Sequence, residues 1–178
     1  INKALEALQN LGYSFMFLNI GSGGQQRYSH PFIIDTGYIT DEHEMVELYS
    51  AMDVFLFPSL AESYSLVVTE AMSCGVPVVT FDTGGIAERI SQGQTGFIAS
   101  YGNEDELIKY LIEVIKNRQI RDALSFNARL DTVKKYDHRL IVSQYEALYD
   151  ECLSKNLKYD HRHIYFQNSR KSDRRILI

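Results

Sequence analysis

Apolar and polar positions alternate along the chain in two distinct rhythms. Short apolar runs at 15–20, 32–36, 54–57, 77–81 and 96–99 are rich in β-branched or aromatic residues and end in Gly, Pro, Asp or Ser, which predicts strands. Between them, at 3–11, 43–52, 65–74 and 85–92, apolar residues recur at helical spacing. Alternation of this kind predicts βα units and a parallel sheet with helices on both faces, an α/β doubly wound, Rossmann-like domain. After Ala99 only helices are predicted. Asn103 with Glu106 three residues on reads as a helix start, followed by Leu107, Leu111, Val114 and Ile115 on one face. A second helix is predicted over 119–135. A third begins near Asp137 and carries Ile141, Tyr145, Leu148 and Cys152 on one stripe. The periodicity fades beyond Ser154, so the predicted organisation is a domain over 1–155 and a tail over 156–178.

The first predicted element is a helix, whereas a doubly wound sheet opens with a strand. The pattern reads as a fragment that starts one strand late. Two tail segments, 163–167 and 175–178, have strand character and are candidates to pair where such a strand is missing.

Composition narrows the class. With 178 residues, 45% hydrophobic and 23% charged, the chain is long enough for one domain with a sizeable core. No apolar run reaches the roughly 18 residues of a membrane span. Two cysteines, Cys74 and Cys152, are too few for a disulfide framework, and no Asn-x-Ser/Thr acceptor is present, which points to a reducing, cytoplasmic setting. Of the net charge of −5, the tail holds six Lys/Arg against Asp160 and Asp173, a local +4, so the body carries −9. An acidic body argues against a nucleic-acid-binding face. The basic tail reads first as a solvated end. Its second reading is an electrostatic contact with phosphates or with anionic lipid, the latter a peripheral contact at the inner face of a membrane. His30, His43, His138, His161 and His163 lack metal-ligand spacing, and there is no Asp-x-Asp triplet, so no metal and no cofactor is predicted.

Chemistry concentrates in residues 58–96. The strand at 54–57 leads through a polar loop into a helix at Ser65, which ends at Gly75, two residues before Pro77. The strand at 77–81 ends in Asp82-Thr83-Gly84-Gly85, and a further helix opens at Ile86. Two helix N-termini at the carboxyl ends of neighbouring parallel strands favour an anion, typically phosphate. Gly84 and Gly85 would let backbone approach a ligand closely, or form a plain turn. Glu62 lies just before the helix and Glu70 one and a half turns inside it. Carboxylates are poor partners for phosphate and good acceptors from vicinal hydroxyls. Amides for a diphosphate between carboxylates for sugar hydroxyls would suit a nucleotide-sugar. A loop carboxylate and a solvent-facing helix residue remain the plain alternative.

Glu62 and Glu70 match the E-x7-E motif of retaining glycosyltransferases of the GT-B fold, and the chain resembles glycosyltransferase family 4 (glycosyl transferases group 1). Further motifs share its order and spacing: Ile20-Gly21-Ser22-Gly23, Gly37-Tyr38-Ile39, Pro58-Ser59, Glu70-Ala71-Met72, the run Cys74–Val79, Gly84–Glu88 and Gly93–Phe97. The resemblance covers roughly residues 4–155 and implies the C-terminal, donor-binding half of such an enzyme, in whose fold the missing strand would be an interior one flanked by the strands at 15–20 and 54–57. It implies that Glu70 accepts from the ribose hydroxyls, that Glu62 is the catalytic-site carboxylate on the transferred sugar, and that the amides of Ser65, Leu66 and Val67 hold the distal phosphate. Tyr38 and Ile39 would pack against the base, and Gly21 and Gly23 would sit beside the donor. Glu62 is not implied to be a nucleophile. The family's reaction is a front-face departure and attack that relies on positioning and charge stabilisation.

The chain also departs from the family pattern. Ser63-Tyr64-Ser65 stands where glycine commonly follows the first glutamate. Serine can cap the helix, but a position needing φ > 0 becomes costly. The family's basic pair for the leaving diphosphate lies upstream of the first helix, together with the N-terminal acceptor domain. Lys3 comes too late to be that lysine, and Arg27 in the glycine loop is a weaker candidate. The function implied is transfer of a sugar from a nucleotide-sugar with retention, in cell-surface polysaccharide or glycolipid biosynthesis. A nucleotide-sugar epimerase or phosphorylase of the same architecture, and a nucleotide-sugar-binding remnant without transfer activity, are the alternatives.

Overall fold

A computed structural model describes residues 1–21 and 32–154. Gly23 and Arg27 of the glycine loop, and the basic tail with its two strand-like segments, lie outside the described residues. The elements in chain order are α1 (Asn2–Asn10), β1 (Phe17–Ile20), β2 (Ile33–Gly37), α2 (Glu42–Ser50), β3 (Phe55–Phe57), α3 (Leu66–Ser73), β4 (Val78–Phe81), β5 (Gly96–Ala99), α4 (Glu104–Lys116), α5 (Arg118–Tyr136) and α6 (His138–Ser154). The chain forms two packing units, Ile1–Asp137 and His138–Ile178.

Every strand pair is parallel, with β1 beside β2 and β4 between β3 and β5. Among the described residues these are two sheets, and β1 and β3 are not paired with one another. The break falls between the strands predicted at 15–20 and 54–57. β4 is buried along its whole length, as expected for a central parallel strand covered on both faces. Its side chains alternate. Val79 and Phe81 join Ala4 and Leu8 of α1, Ala99, and Leu107, Leu111 and Val114 of α4 in one cluster. Val78 joins Tyr49 of α2 and Val68, Ala71 and Met72 of α3 in the other. α5 contributes to both, through Leu124 and Ala128. These two cores make the domain doubly wound.

The segment at 85–92 is not a helix. Only Ile86–Glu88 turns, as a single 3-10 turn. Ile86 and Ile90 are both buried, which is why their spacing reads as helical. From Ser91 the chain is committed to a tight turn instead. The Ser91 carbonyl accepts from the amides of Gln94 and Thr95, the Thr95 hydroxyl accepts from the Ser91 amide, and Gly93 takes φ +70°. In the second unit, α6 places Ile141, Tyr145, Leu148 and Cys152 along one helix, and the rings of Tyr145 and Tyr149 lie 6.3 Å apart.

Candidate functional site

The loop between β3 and α3 is held by the turn that follows β4. The Thr83 hydroxyl donates to the Ser59 carbonyl at 3.1 Å, and the Gly85 amide donates to the Ser63 carbonyl at 2.9 Å. A Cβ on Gly84 would meet the Glu62 carbonyl oxygen at 1.9 Å, and one on Gly85 would meet the Ser63 carbonyl oxygen at 2.9 Å. The paired glycines therefore admit close backbone approach, as their composition suggests, but the backbone they admit is the protein's own Glu62 loop. Their role is to set where Glu62 stands.

Glu62 and Ser63 are shared by two open hollows at the carboxyl end of the β3–β4–β5 sheet. One, of about 580 Å³, is lined by Phe57, Tyr64, Ser65, Leu66 and Val67 besides. The other, of about 700 Å³, is lined by Leu60, Ala61, Asp82, Thr83, Gly84 and Tyr101. The structure thus brings together Glu62, Ser65, Leu66 and Val67 from the sequence-derived set. It adds Tyr101 and Thr83, which carry no motif signal of their own.

Ser65 occupies the N-cap position of α3 without capping it. Its φ is +48°, the one positive value outside glycine among the described residues, and its side chain makes no cap bond. The capping expected of this serine is therefore not realised, because the left-handed backbone turns its hydroxyl inward. The hydroxyl is buried without a partner. The first-turn amides of α3 are consequently left open at the hollow, with the positive end of the helix dipole behind them.

Glu70 lies one and a half turns further along α3, exposed, and does not line either hollow. The buried Tyr49 hydroxyl of α2 donates to its carboxylate at 3.3 Å. Burial, and then the Glu70 charge, push the Tyr49 phenol far above its ordinary range, so it stays a donor. That single bond fixes one carboxylate oxygen and leaves the other open to a further donor. Gly21, Tyr38 and Ile39 sit at the carboxyl ends of β1 and β2, which are joined there by the Gly21 amide donating to the Gly37 carbonyl at 2.8 Å. Tyr38 is 81% exposed, and none of the three lines the hollows around Glu62.

Sequence reasoning passes over Arg89. It is 2% exposed, at the end of the 3-10 turn, with its guanidinium carbon 3.4 Å from the centroid of the Tyr64 ring. Its neighbours Glu88 and Ile90 give it the look of a solvent-facing helix residue, and the one available signal is its place between two isoleucines four apart.

Comparison with known proteins agrees with this architecture. N-acetyl-alpha-D-glucosaminyl L-malate synthase of Bacillus anthracis is 32% identical over 116 residues, covering 65% of this chain and 30% of that protein. Sucrose-phosphate synthase from Thermosynechococcus elongatus superposes with a TM-score of 0.74 at 22% identity, covering 86% of this chain and 42% of that one. HepE of Anabaena, solved in complex with UDP, superposes at 0.64 with 20% identity, covering 84% and 53%. The domain is an α/β, Rossmann-like parallel-sheet domain resembling the C-terminal half of a GT-B fold. The chain spans less than half the length of the curated relatives that it matches. The model of the family described as glycosyl transferases group 1 matches residues 33–131, more than half of the sequence, and the chain belongs to that family.

Proposed function

We propose that this chain is the donor-binding half of a glycosyltransferase that takes a sugar from a nucleoside diphosphate sugar with retention of configuration. The observation that carries the reading is the construction of α3. Its open N-terminus faces a hollow beside Glu62, and Glu70 stands on the same helix with one carboxylate oxygen held by Tyr49. In this reading the amides of Ser65, Leu66 and Val67 take the distal phosphate, Glu70 accepts from the ribose and Glu62 from the sugar. Tyr38 and Ile39 pack against the base, and Gly21 and Gly23 lie beside the donor. HepE has been solved with UDP and with UDP-glucose, which supports a nucleotide-sugar as the ligand class. The acceptor is assigned to a separate N-terminal domain, and the setting to the cytoplasmic side, in polysaccharide or glycolipid assembly.

Calorimetry with UDP, GDP and ADP tests the binding. At least one should bind without added metal, and Glu70→Ala should weaken it by about 1.5–3 kcal/mol for each charge-assisted bond lost. Equal affinity for the two proteins would remove Glu70 from the site. The purified 178-residue chain by itself should hydrolyse or transfer no donor above background, measured by release of free nucleoside diphosphate. Robust turnover would show that the acceptor side is built from these residues.

A further inference from the structure

Arg89 carries a charge that nothing in the described structure balances. All three guanidinium nitrogens are buried without a hydrogen-bond partner. Tyr64 covers it on one side, and the Tyr136 ring centroid lies 5.3 Å from the guanidinium carbon on α5. Stacking on aromatic faces returns part of what desolvation costs a cation, but it leaves five N–H donors unsatisfied. The other partnerless buried side-chain atoms among the described residues lie on the elements that bear Tyr64 and Tyr136 or adjoin them. The Ser65 hydroxyl follows Tyr64, Thr69 is one turn further along α3, and Thr132 is one turn before Tyr136 on α5, which packs on α3. A buried cation and three buried hydroxyls thus stand here without a hydrogen-bond partner.

Tyr64 is both the cover of that region and a wall of the hollow at the N-terminus of α3. It is 49% exposed, so its ring has solvent to turn into. The loop that bears it is pinned through the Ser63 carbonyl, so a ring rotation needs no backbone rearrangement. We propose that Arg89 is the cation that pairs with the phosphate bound at the N-terminus of α3, and that the Tyr64 ring turns aside to admit it. This rests on the reading of the hollow as a nucleoside diphosphate site. The planar guanidinium fork suits two phosphate oxygens, and the helix amides alone supply only partial charges. Arg89 then satisfies its own donors only when the ligand is present.

The probes are pyrophosphate, which has no base or ribose, UDP and uridine. Arg89→Met fills the same space without charge. Its melting temperature should not fall, since it removes an unpaired buried cation, and its affinities for pyrophosphate and UDP should drop at least tenfold while that for uridine is unchanged. Affinities for pyrophosphate and UDP equal to wild type would overturn the proposal. A measurement without any variant stands beside it. In the wild-type protein the Nε–H resonance of Arg89 should shift on addition of pyrophosphate, and a resonance that stays in place would overturn it even if Arg89→Met fails to fold. Glu70-dependent binding of UDP that ignores Arg89 would sink this inference and leave the donor-site reading standing. Wild-type protein that binds none of UDP, GDP, ADP and pyrophosphate would overturn both.

Discussion

Ser65 carries a backbone cost that its side chain does not offset. A non-glycine residue in the left-handed region costs roughly 1–2 kcal/mol, whereas the added freedom of glycine in the unfolded chain costs about 0.5–1 kcal/mol. Ser65→Gly should therefore raise stability slightly, by about 1.5 kcal/mol at most, at about 2–4 °C in melting temperature for each kcal/mol. Its amide remains in place, so nucleotide affinity should persist. A fall in melting temperature would mean that the buried hydroxyl has a partner in solution. Gly84 is the converse case. It holds φ +55° against the Glu62 carbonyl, and Gly84→Ala must displace the Glu62 loop. That variant should melt lower by several degrees and lose donor affinity together. Retained affinity in a destabilised Gly84→Ala protein would separate Glu62 from binding. The start of α3, with Glu62 in the loop before it and Glu70 within it, is legible in sequence because an apolar run, a polar loop and a helical stretch follow one another over 54–74. The conformation of Ser65 and the burial of Arg89 are not, since both depend on a loop contacting a turn some twenty residues later.

At the scale of elements, the N-terminus of α4 shows how local chemistry makes a boundary readable. The Asn103 side chain accepts from the Glu106 amide at 3.2 Å, and the Glu106 carboxylate accepts from the Ser100 amide at 2.7 Å. Asn and Glu at this spacing predict the helix start from four residues, with no knowledge of the fold. The bond from the Ser100 amide, and then that from Tyr110, hold the Glu106 carboxyl below its ordinary value. A folded-state value below the unfolded one contributes stability that is present above roughly pH 4.3, the unfolded value, and is lost as pH falls through the folded value. Glu106→Gln keeps an acceptor and removes the titration. The gap in melting temperature between wild type and Glu106→Gln should be widest near neutrality and close as pH is lowered below about 4. A gap that does not change with pH would mean that Glu106 acts there through shape alone. By contrast, 85–92 is misread as a helix because a buried turn with isoleucines four apart has the same apolar signature as one helix face. What distinguishes them is the side-chain bond from Thr95 back to Ser91, which belongs to the turn.

The whole molecule is organised around the break between β1 and β3. In parallel strands alternate amides point to opposite edges. The amides of Phe17 and Gly21 reach β2's side of β1, and that of Phe55 reaches the β4 side of β3. Leu18 and Ile20 of β1, and Leu56 of β3, therefore direct their amides to the edges that face no described strand. β4, bonded on both sides and buried throughout, lies at the opposite extreme. The strands themselves are legible in sequence, because each is a short apolar run closed by turn residues. What covers the edges between β1 and β3 is not, because strand pairing is set by partners distant in the chain. Native-state hydrogen exchange should accordingly divide the strands. Val78–Phe81 should exchange only through global unfolding, at rates that track denaturant. Leu18, Ile20 and Leu56 should exchange quickly and independently of denaturant, as groups open to water in the folded state. Slow exchange at these three positions that persists at dilute protein would place a strand in the gap. If removing residues 157–178 then restored fast exchange, that strand would be the chain's own tail, and the edges would be open only when the tail is released.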